Sequence, residues 1–241
     1  MLRFFNSSEA EDMSRDRCQT YVQSQSSLKQ SSNVTQISTH QIANKKPVGG
    51  KFKRLFDVVI ATLILLFIFP FMLVVWALIR LESKGPGLFK QARGGIHGQA
   101  FEIYKFRTMV MHGSCFKQAV KGDKRITRLG RLLRKTSIDE LPQLINVVKG
   151  DMSLVGPRPH VVAHDKEFME FDSRYALRFQ ARPGVTGLAQ VSGSRGPTDT
   201  PELKLKRIEL DLDYVEQWSH KKDFYVLIKT VLLVLFDRRA F

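Results

Sequence analysis

The sequence contains little cysteine and no histidine spacing typical of a zinc site. Cys18 and Cys115 are the only cysteines among 241 residues and lie far apart, which excludes a disulfide framework and indicates a reducing compartment for the main domain. His160 and His164, four residues apart, are weak support for metal binding on their own. No apolar core lies near Met1, so no secretory signal is expected.

Acidic residues are also scarce. The chain has 23 acidic residues against 38 Lys and Arg, which gives a formal net charge of +15. Such an excess of positive charge favours anionic partners: nucleic acid, phosphorylated metabolites or acidic lipid headgroups. The length allows one domain with an appendage, or at most two small domains.

Residues 1–50 lack any sustained hydrophobic period. They are rich in Ser, Gln, Asn and Thr, most clearly in "YVQSQSSLKQSSNVTQ". A segment of this composition cannot bury enough apolar surface to offset its ordering entropy. The sequence therefore predicts a disordered polar tail over 1–50, followed by a membrane segment over 51–80 and a globular domain over 81–241.

The membrane segment has no charged residue over 58–79, long enough for one helix to cross a bilayer. Two features argue against a simple crossing. Pro70 lies near the middle, where it removes one backbone hydrogen bond. Basic residues flank both ends, and such residues favour the cytoplasmic side. The pattern predicts a helix broken at Pro70 that enters one leaflet and returns; a single crossing is the alternative.

The rest of the chain indicates a domain of mixed secondary structure. Glycines and alternating apolar residues in "GPGLFKQARGGIHGQAFEIYKFRTM" predict a hairpin or two short strands. "RITRLGRLLRKTS" predicts a helix with an apolar stripe beside a cationic face, which lies on a membrane surface or faces solvent. "FYVLIKTVLLVLF" is too short to cross a bilayer and predicts a core or interfacial helix.

Two adjacent acids, Asp139 and Glu140, stand out in this basic chain. "SIDE" fits a capping box in which Ser137 is the N-cap and Glu140 reaches back to its amide. Alternatively the helix starts at Pro142, and the acids precede it. A carboxylate pair among cations could hold a divalent metal and a pyrophosphate together. Basic residues gather on both sides in sequence, among them Lys105, Arg107, Arg134, Lys135 and Arg158.

Several stretches in order carry a resemblance to a known family. They are "KRLFDVVIA", "QARGG", "YKFRTM", "LRKTSIDELPQLINVVKGDMSLVGPRP", "ARPGVTGLAQVSG" and "ELDLDYVEQWS". The chain resembles the bacterial sugar transferases, the monotopic phosphoglycosyl transferases. Within them it is most similar to the undecaprenyl-phosphate glucose-1-phosphate transferases of exopolysaccharide synthesis. The resemblance covers nearly everything beyond the tail.

The resemblance implies a two-step reaction that transfers a hexose-1-phosphate from a UDP-sugar to undecaprenyl phosphate and releases UMP. Asp139 would be the nucleophile that forms an aspartyl phosphosugar, and Glu140 its partner. Both acids would help to hold Mg²⁺. The residues expected to bind substrate are Lys105, Arg134, Arg158, Arg195 and Asp223.

The resemblance also implies a fold and a location. The expected fold is an α-rich α+β monotopic membrane protein, with a proline-broken re-entrant helix, a small catalytic domain with interfacial amphipathic helices, and a short β element. The catalytic domain would lie on the cytoplasmic face of the bacterial inner membrane. Expected partners are the two substrates, anionic lipids and downstream glycosyltransferases, but no nucleic acid. Two alternatives remain: UDP-galactose as donor, and a membrane-anchored basic binding protein without catalysis.

Overall fold

The computed structural model describes residues 46–110, 123–196 and 198–236. Most of the predicted tail, residues 1–45, lies outside the described residues. The helices are α1 (Gly50–Glu82), α2 (Arg128–Lys135), α3 (Gln143–Lys149), α4 (Val162–Phe171), α5 (Leu188–Val191), α6 (Pro201–Glu216) and α7 (His220–Phe236). The strands are β1 (Leu88–Gly94), β2 (Ala100–Phe106), β3 (Ser153–Val155) and β4 (Gly184–Thr186). Three 3-10 segments complete the described elements: Ile96–Gly98, Ile138–Glu140 and Ser173–Gln180.

The fold is helix-rich with a short β element, as the sequence predicts. β1 and β2 form the expected antiparallel hairpin, in register from Leu88 opposite Phe106 to Gly94 opposite Ala100. β3 and β4 form a second, parallel pair of strands. The basic segment between the hairpin and the acids includes helix α2, whose N-cap is Thr127, with its side chain accepting a hydrogen bond from the Gly130 amide.

Helix α1 packs against the globular domain near both of its ends. Ala61, fully buried, belongs to a core that also contains Val147 and Met152. Further along the helix, Ile79 packs in a second cluster with Phe106 and other residues of the domain. Between these regions most side chains of α1 are exposed and apolar. Among the described residues, α1 is the helix long and apolar enough to cross a membrane.

Pro70 lies inside α1 without interrupting it. The helix continues from Gly50 to Glu82, so the expected break is not seen as a gap in helical structure. A proline removes one amide donor from a helix and favours a bend, but it does not by itself end a long apolar helix. Whether α1 enters and leaves the bilayer on the same side stays a prediction.

Two arginines attach α1 to the domain through helix carbonyl groups. Arg54 donates from Nη1 to the carbonyl of Val147 at 2.6 Å and from Nη2 to that of Val148 at 3.0 Å, near the end of α3. Arg107 follows β2 and donates from Nη2 to the carbonyl of Ser83 at 2.6 Å, just beyond α1. The last carbonyls of a helix lack hydrogen-bond donors within the helix, and here the guanidinium groups donate to carbonyls at or just beyond a helix end. These contacts fix the position of α1 along the domain.

Candidate active site

The candidate active site lies where separate backbone segments meet. Lys105 lies at the end of β2, both acids lie on the 3-10 turn Ile138–Glu140, and Arg158 lies in the loop after β3. The side chain of Asn146, on α3, attaches that helix to β2 by donating to the carbonyl of Glu102 at 2.6 Å.

The turn that carries the acids is not a capping box. Ser137 takes a left-handed conformation with φ of 57°, and its side chain caps no amide of the turn. Helix α3 begins at Gln143, directly after Pro142. The second alternative from the sequence is therefore confirmed: proline suits the start of a helix, and the acid pair precedes it.

Glu140 is held by two cations. Its Oε1 lies 2.8 Å from Nζ of Lys105 and 2.9 Å from Nη2 of Arg158. Burial opposes ionisation of Glu140, but the charges and hydrogen bonds of Arg158 and Lys105 outweigh that effect and hold its pKa well below the usual value. Glu140 is therefore a fixed anion that orients both cations.

Asp139 differs from its neighbour in having no such engagement. Among the described residues, none makes a hydrogen bond or an ion pair with its carboxylate. Burial and the adjacent charge of Glu140 raise the pKa of Asp139 to about 6, against the opposing charges of Lys105, Arg134 and Arg158. The site thus contains one carboxylate that is paired with cations, Glu140, and one that is available to react, Asp139.

Two further predicted arginines lie beside this turn. Arg134, on α2, donates from Nε to the hydroxyl of Thr108 at 2.8 Å, and its charge acts on Asp139. Arg195 donates from Nη2 to Oγ of Ser137 at 2.6 Å, two residues before Asp139. The structure therefore brings Lys105, Arg134, Arg158 and Arg195 together around the acid pair.

The match to a family model spans residues 48–237 and carries the description bacterial sugar transferase. The chain belongs to this family. The matched region contains the whole candidate active site and helix α1.

Individual relatives agree with this classification. A protein of Caulobacter vibrioides named UDP-glucose:undecaprenyl-phosphate glucose-1-phosphate transferase is 51% identical over 191 residues, 78% of this chain and 72% of the relative. The exopolysaccharide production protein PSS of Rhizobium leguminosarum is 45% identical over 195 residues, 78% of this chain and 98% of the relative. A Klebsiella pneumoniae protein with the same name as the Caulobacter relative is 44% identical over 221 residues. That alignment covers 87% of this chain but 48% of the relative, so the chain spans less than half of that protein.

Asp223 of this sugar transferase lies apart from the acid pair in its contacts. Its Oδ2 is 2.7 Å from Nζ of Lys53 and 3.1 Å from Nε1 of Trp218, and its Oδ1 is 2.7 Å from the hydroxyl of Tyr214. Both oxygens of the buried carboxylate therefore have protein partners. The described contacts attach α1 to α7 and do not join Asp223 to the other predicted site residues.

We expect Asp223→Asn to lower stability more than substrate affinity. The change leaves Lys53 buried without its closest carboxylate, which should cost about 3 kcal/mol of folding free energy. Thermal unfolding of the purified protein measures this cost. Asp213→Asn, which breaks a more exposed pair with Lys222 at 3.1 Å, is the matched control and should cost about 0.5 kcal/mol. A raised KM for the donor with unchanged unfolding would instead support Asp223 as a substrate-binding residue.

Sequence reasoning missed a buried polar network behind the site. Arg178 donates from Nη2 to the carbonyl of Arg158 at 2.5 Å and pairs with Asp211 at 3.0 Å. Its Nη1 also donates to the hydroxyl of Tyr175, which in turn donates to Asp165. These residues come from separate elements and share no spacing in the sequence, and other charged residues surround them, so no local pattern distinguishes them.

The donor set of the site fits a magnesium ion held jointly with substrate. Mg²⁺ commonly takes one or two carboxylates and completes its coordination with phosphate oxygens and water. Asp139 offers unengaged carboxylate oxygens, whereas those of Glu140 face Lys105 and Arg158. In the described ranges, no group of at least three His, Cys, Asp or Glu could form an all-protein metal site. A metal here would therefore need the phosphates of the substrate.

Proposed function

We propose that this chain transfers glucose-1-phosphate from UDP-glucose to undecaprenyl phosphate and releases UMP, as the first membrane step of exopolysaccharide synthesis. One observation carries the proposal: the carboxylate of Asp139 has no partner among the described residues, yet lies amid cations suited to a diphosphate. The names of the relatives support the choice of both substrates. Downstream glycosyltransferases would then extend the lipid-linked sugar.

The chemistry proceeds in two displacements at one phosphorus atom. A carboxylate oxygen of Asp139 attacks the phosphorus that bears the sugar, and the bond from that phosphorus to the bridging oxygen breaks. UMP leaves with the bridging oxygen and its electron pair. An oxygen of undecaprenyl phosphate then attacks the same phosphorus, the bond to Asp139 breaks, and the carboxylate is regenerated.

Positive charge makes the first step possible, because an anion approaching a diphosphate is strongly repelled. Lys105 and Arg158, both held by Glu140, would face the phosphoryl oxygens, with Arg134 and Arg195 beside the nucleophile. Glu140 thus acts by orienting donors rather than by attacking. Of the two acids expected to hold Mg²⁺, Asp139 has the unengaged oxygens, so the ion would be held by Asp139 with the diphosphate and would supply additional neutralisation of phosphate charge.

Helix α1 would seat the active site on one leaflet of the inner membrane, with the domain on the cytoplasmic face. Lys53 and Ile79 both contact the domain, although 26 residues of helix correspond to about 39 Å when straight. A bilayer core about 30 Å thick could not lie between two points that contact one domain on one side. This packing supports a re-entrant path around Pro70. The basic face of α2 would add attraction to anionic lipids of about 1 kcal/mol for each nearby cation.

A release assay tests the function directly. Purified protein in lipid nanodiscs, supplied with Mg²⁺, undecaprenyl phosphate and UDP-glucose, should release UMP and form a lipid-linked sugar diphosphate. UDP-galactose, assayed alongside, decides the sugar. Release of UMP from neither donor would refute the proposal and leave the alternative of a basic binding protein, whose interaction should disappear at high salt and survive Asp139→Asn.

The path of α1 is testable by labelling single introduced cysteines in a Cys18→Ser, Cys115→Ser background. Residues just before Gly50 and just after Glu82 should both react with an impermeant reagent only when the cytoplasmic face is accessible. Reaction of the two ends from opposite faces would establish a crossing helix instead.

We also expect kcat/KM to fall below a pH of about 6. This parameter reports the free enzyme, in which the pKa of Asp139 is raised to about 6 by burial and by Glu140. Protonation removes the attacking electron pair, so kcat/KM should decrease about tenfold for each pH unit below the pKa. A pH profile of UMP release measures it; a flat profile down to pH 4.5 would contradict an ionised Asp139 as the nucleophile.

A further inference from the structure

Arg195 is positioned by a buried arginine. Arg207 on α6 donates through Nη2 to the backbone carbonyls of Ser194 and Gly196, the latter at 2.6 Å. These carbonyls belong to the residues immediately before and after Arg195. The side chain of Arg207 is buried, so its contacts are with protein rather than with bulk water. One guanidinium therefore holds the backbone on both sides of Arg195.

Arg207 shares helix α6 with Asp211, a member of the network that holds Arg158. Asp211 follows Arg207 by one turn of α6, and its carboxylate pairs with Arg178 at 3.0 Å. Arg178 donates to the backbone carbonyl of Arg158. Burial lowers the pKa of Arg207 to about 10, with the charges of Arg158 and Arg178 adding to the decrease and that of Asp211 opposing it. Arg178 therefore holds the backbone of Arg158 and Arg207 holds the backbone beside Arg195, while the charge of Asp211 acts on both arginines.

Through Arg195, Arg207 acts on the turn that carries Asp139. Arg195 donates to Oγ of Ser137, and Ser137 occupies a left-handed conformation that non-glycine residues rarely adopt. A displaced Arg195 would lose this contact beside Asp139 and move its charge away from the diphosphate. Errors of about 1 Å in such groups can cost a factor of about 100 in rate.

We propose that Arg207 is a positioning residue that acts through Arg195. The inference rests on the proposed function only in the identity of the bound group, a sugar nucleotide diphosphate. Arg207 touches no reacting atom; its effect is to fix the backbone from which Arg195 extends.

A double-mutant cycle tests whether Arg207 acts through Arg195. Arg207→Gln alone should lower kcat/KM for UDP-glucose by about 10- to 100-fold. In an Arg195→Gln background the same change should cost less than about threefold, because the group it positions is already absent. Equal fold-losses in both backgrounds would overturn the proposal. Arg207→Lys retains the charge without the planar fork; it should lie between the wild type and Arg207→Gln, and it replaces Arg207→Gln in the cycle if that variant does not fold.

Arg182 supplies the matched control. Its Nε donates to the carbonyl of Gly150 at 3.1 Å, so it is also an arginine bound to backbone, but at a different loop. Arg182→Gln should change kcat/KM by less than about threefold in either background. A loss as large as that of Arg207→Gln would show that removing any such arginine damages the enzyme and would refute a specific role for Arg207.

Hydrogen exchange separates this inference from the proposed function, because it needs no turnover. Backbone amides over 192–196 should exchange at least about tenfold faster in Arg207→Gln than in the wild type, and at the wild-type rate in Arg182→Gln. Unchanged exchange in Arg207→Gln would overturn the positioning role even in an active enzyme. Faster exchange in a protein that releases no UMP would support the positioning role while refuting the proposed reaction.

Discussion

Asp139→Asn should abolish transfer, with a decrease in kcat on the order of 10⁴-fold or more. An amide oxygen is a poor nucleophile and cannot form the phosphosugar ester, whereas the change in size is negligible. Because the carboxylate of Asp139 has no partner among the described residues, the fold should lose little: less than about 0.5 kcal/mol by thermal unfolding. UMP release measures the activity, and unchanged thermal unfolding excludes misfolding as the cause of the loss.

A trapping experiment makes this prediction specific. Donor labelled in the sugar-linked phosphate, quenched in acid during turnover without acceptor, should leave label on the peptide containing Asp139. Asp139→Asn should leave none, and Asp213→Asn, the control whose side chain pairs with Lys222, should retain both label and activity. UMP release by Asp139→Asn at the wild-type rate would show that another group attacks.

Glu140→Gln should lower kcat by about 100- to 1,000-fold, through loss of orientation rather than loss of the nucleophile. The neutral amide oxygen can still accept hydrogen bonds, but it carries no charge to neutralise Lys105 and Arg158, which lie within 2.9 Å of one carboxylate oxygen. The two cations would then repel each other, and at least one should leave its position. Kinetics over a range of donor concentrations measures the effect, and Glu216→Gln on the exposed surface of α6 is the control.

The same variant should also shift the pH dependence of the remaining activity. The charge of Glu140 contributes to the raised pKa of Asp139, so its removal should lower that pKa below about 6. The acidic limb of kcat/KM should consequently move to lower pH. A limb that moves to higher pH, or a variant with wild-type kcat, would contradict the assignment of Glu140 as the fixed anion of the pair.

Sequence patterns predict the elements that depend on interactions between neighbouring residues. Glycine punctuation and alternation predicted the β1–β2 hairpin, and the uncharged run over 58–79 predicted α1. The start of α3 was left open between Ser137 and Pro142, because a capping box and an N-terminal proline are both local signals and they conflicted here. In the structure the Ser137 amide donates to the carbonyl of Arg134, and Glu140 instead contacts Lys105 and Arg158, which are distant in sequence.

The site was predictable to the extent that its residues share a motif. Asp139, Glu140 and the cations nearest to them belong to recognisable stretches, and four predicted cations do meet at the acids. Asp223 belongs to a stretch of the same kind, yet its carboxylate contacts Lys53, Tyr214 and Trp218. A sequence motif identifies the residue, but it does not identify the neighbours that its side chain contacts.

The amino-acid sequence by itself determined that this chain carries one long apolar helix, a small mixed domain and an acid pair among cations, because composition and periodicity act within a few neighbouring residues. Only the tertiary structure decided which acid is paired with cations and which is available, that Arg178 holds the backbone of Arg158, and that Arg207 holds the backbone on both sides of Arg195. Those outcomes depend on burial and on charge pairs between residues tens of positions apart, and such pairs exist only once the helices and strands have packed.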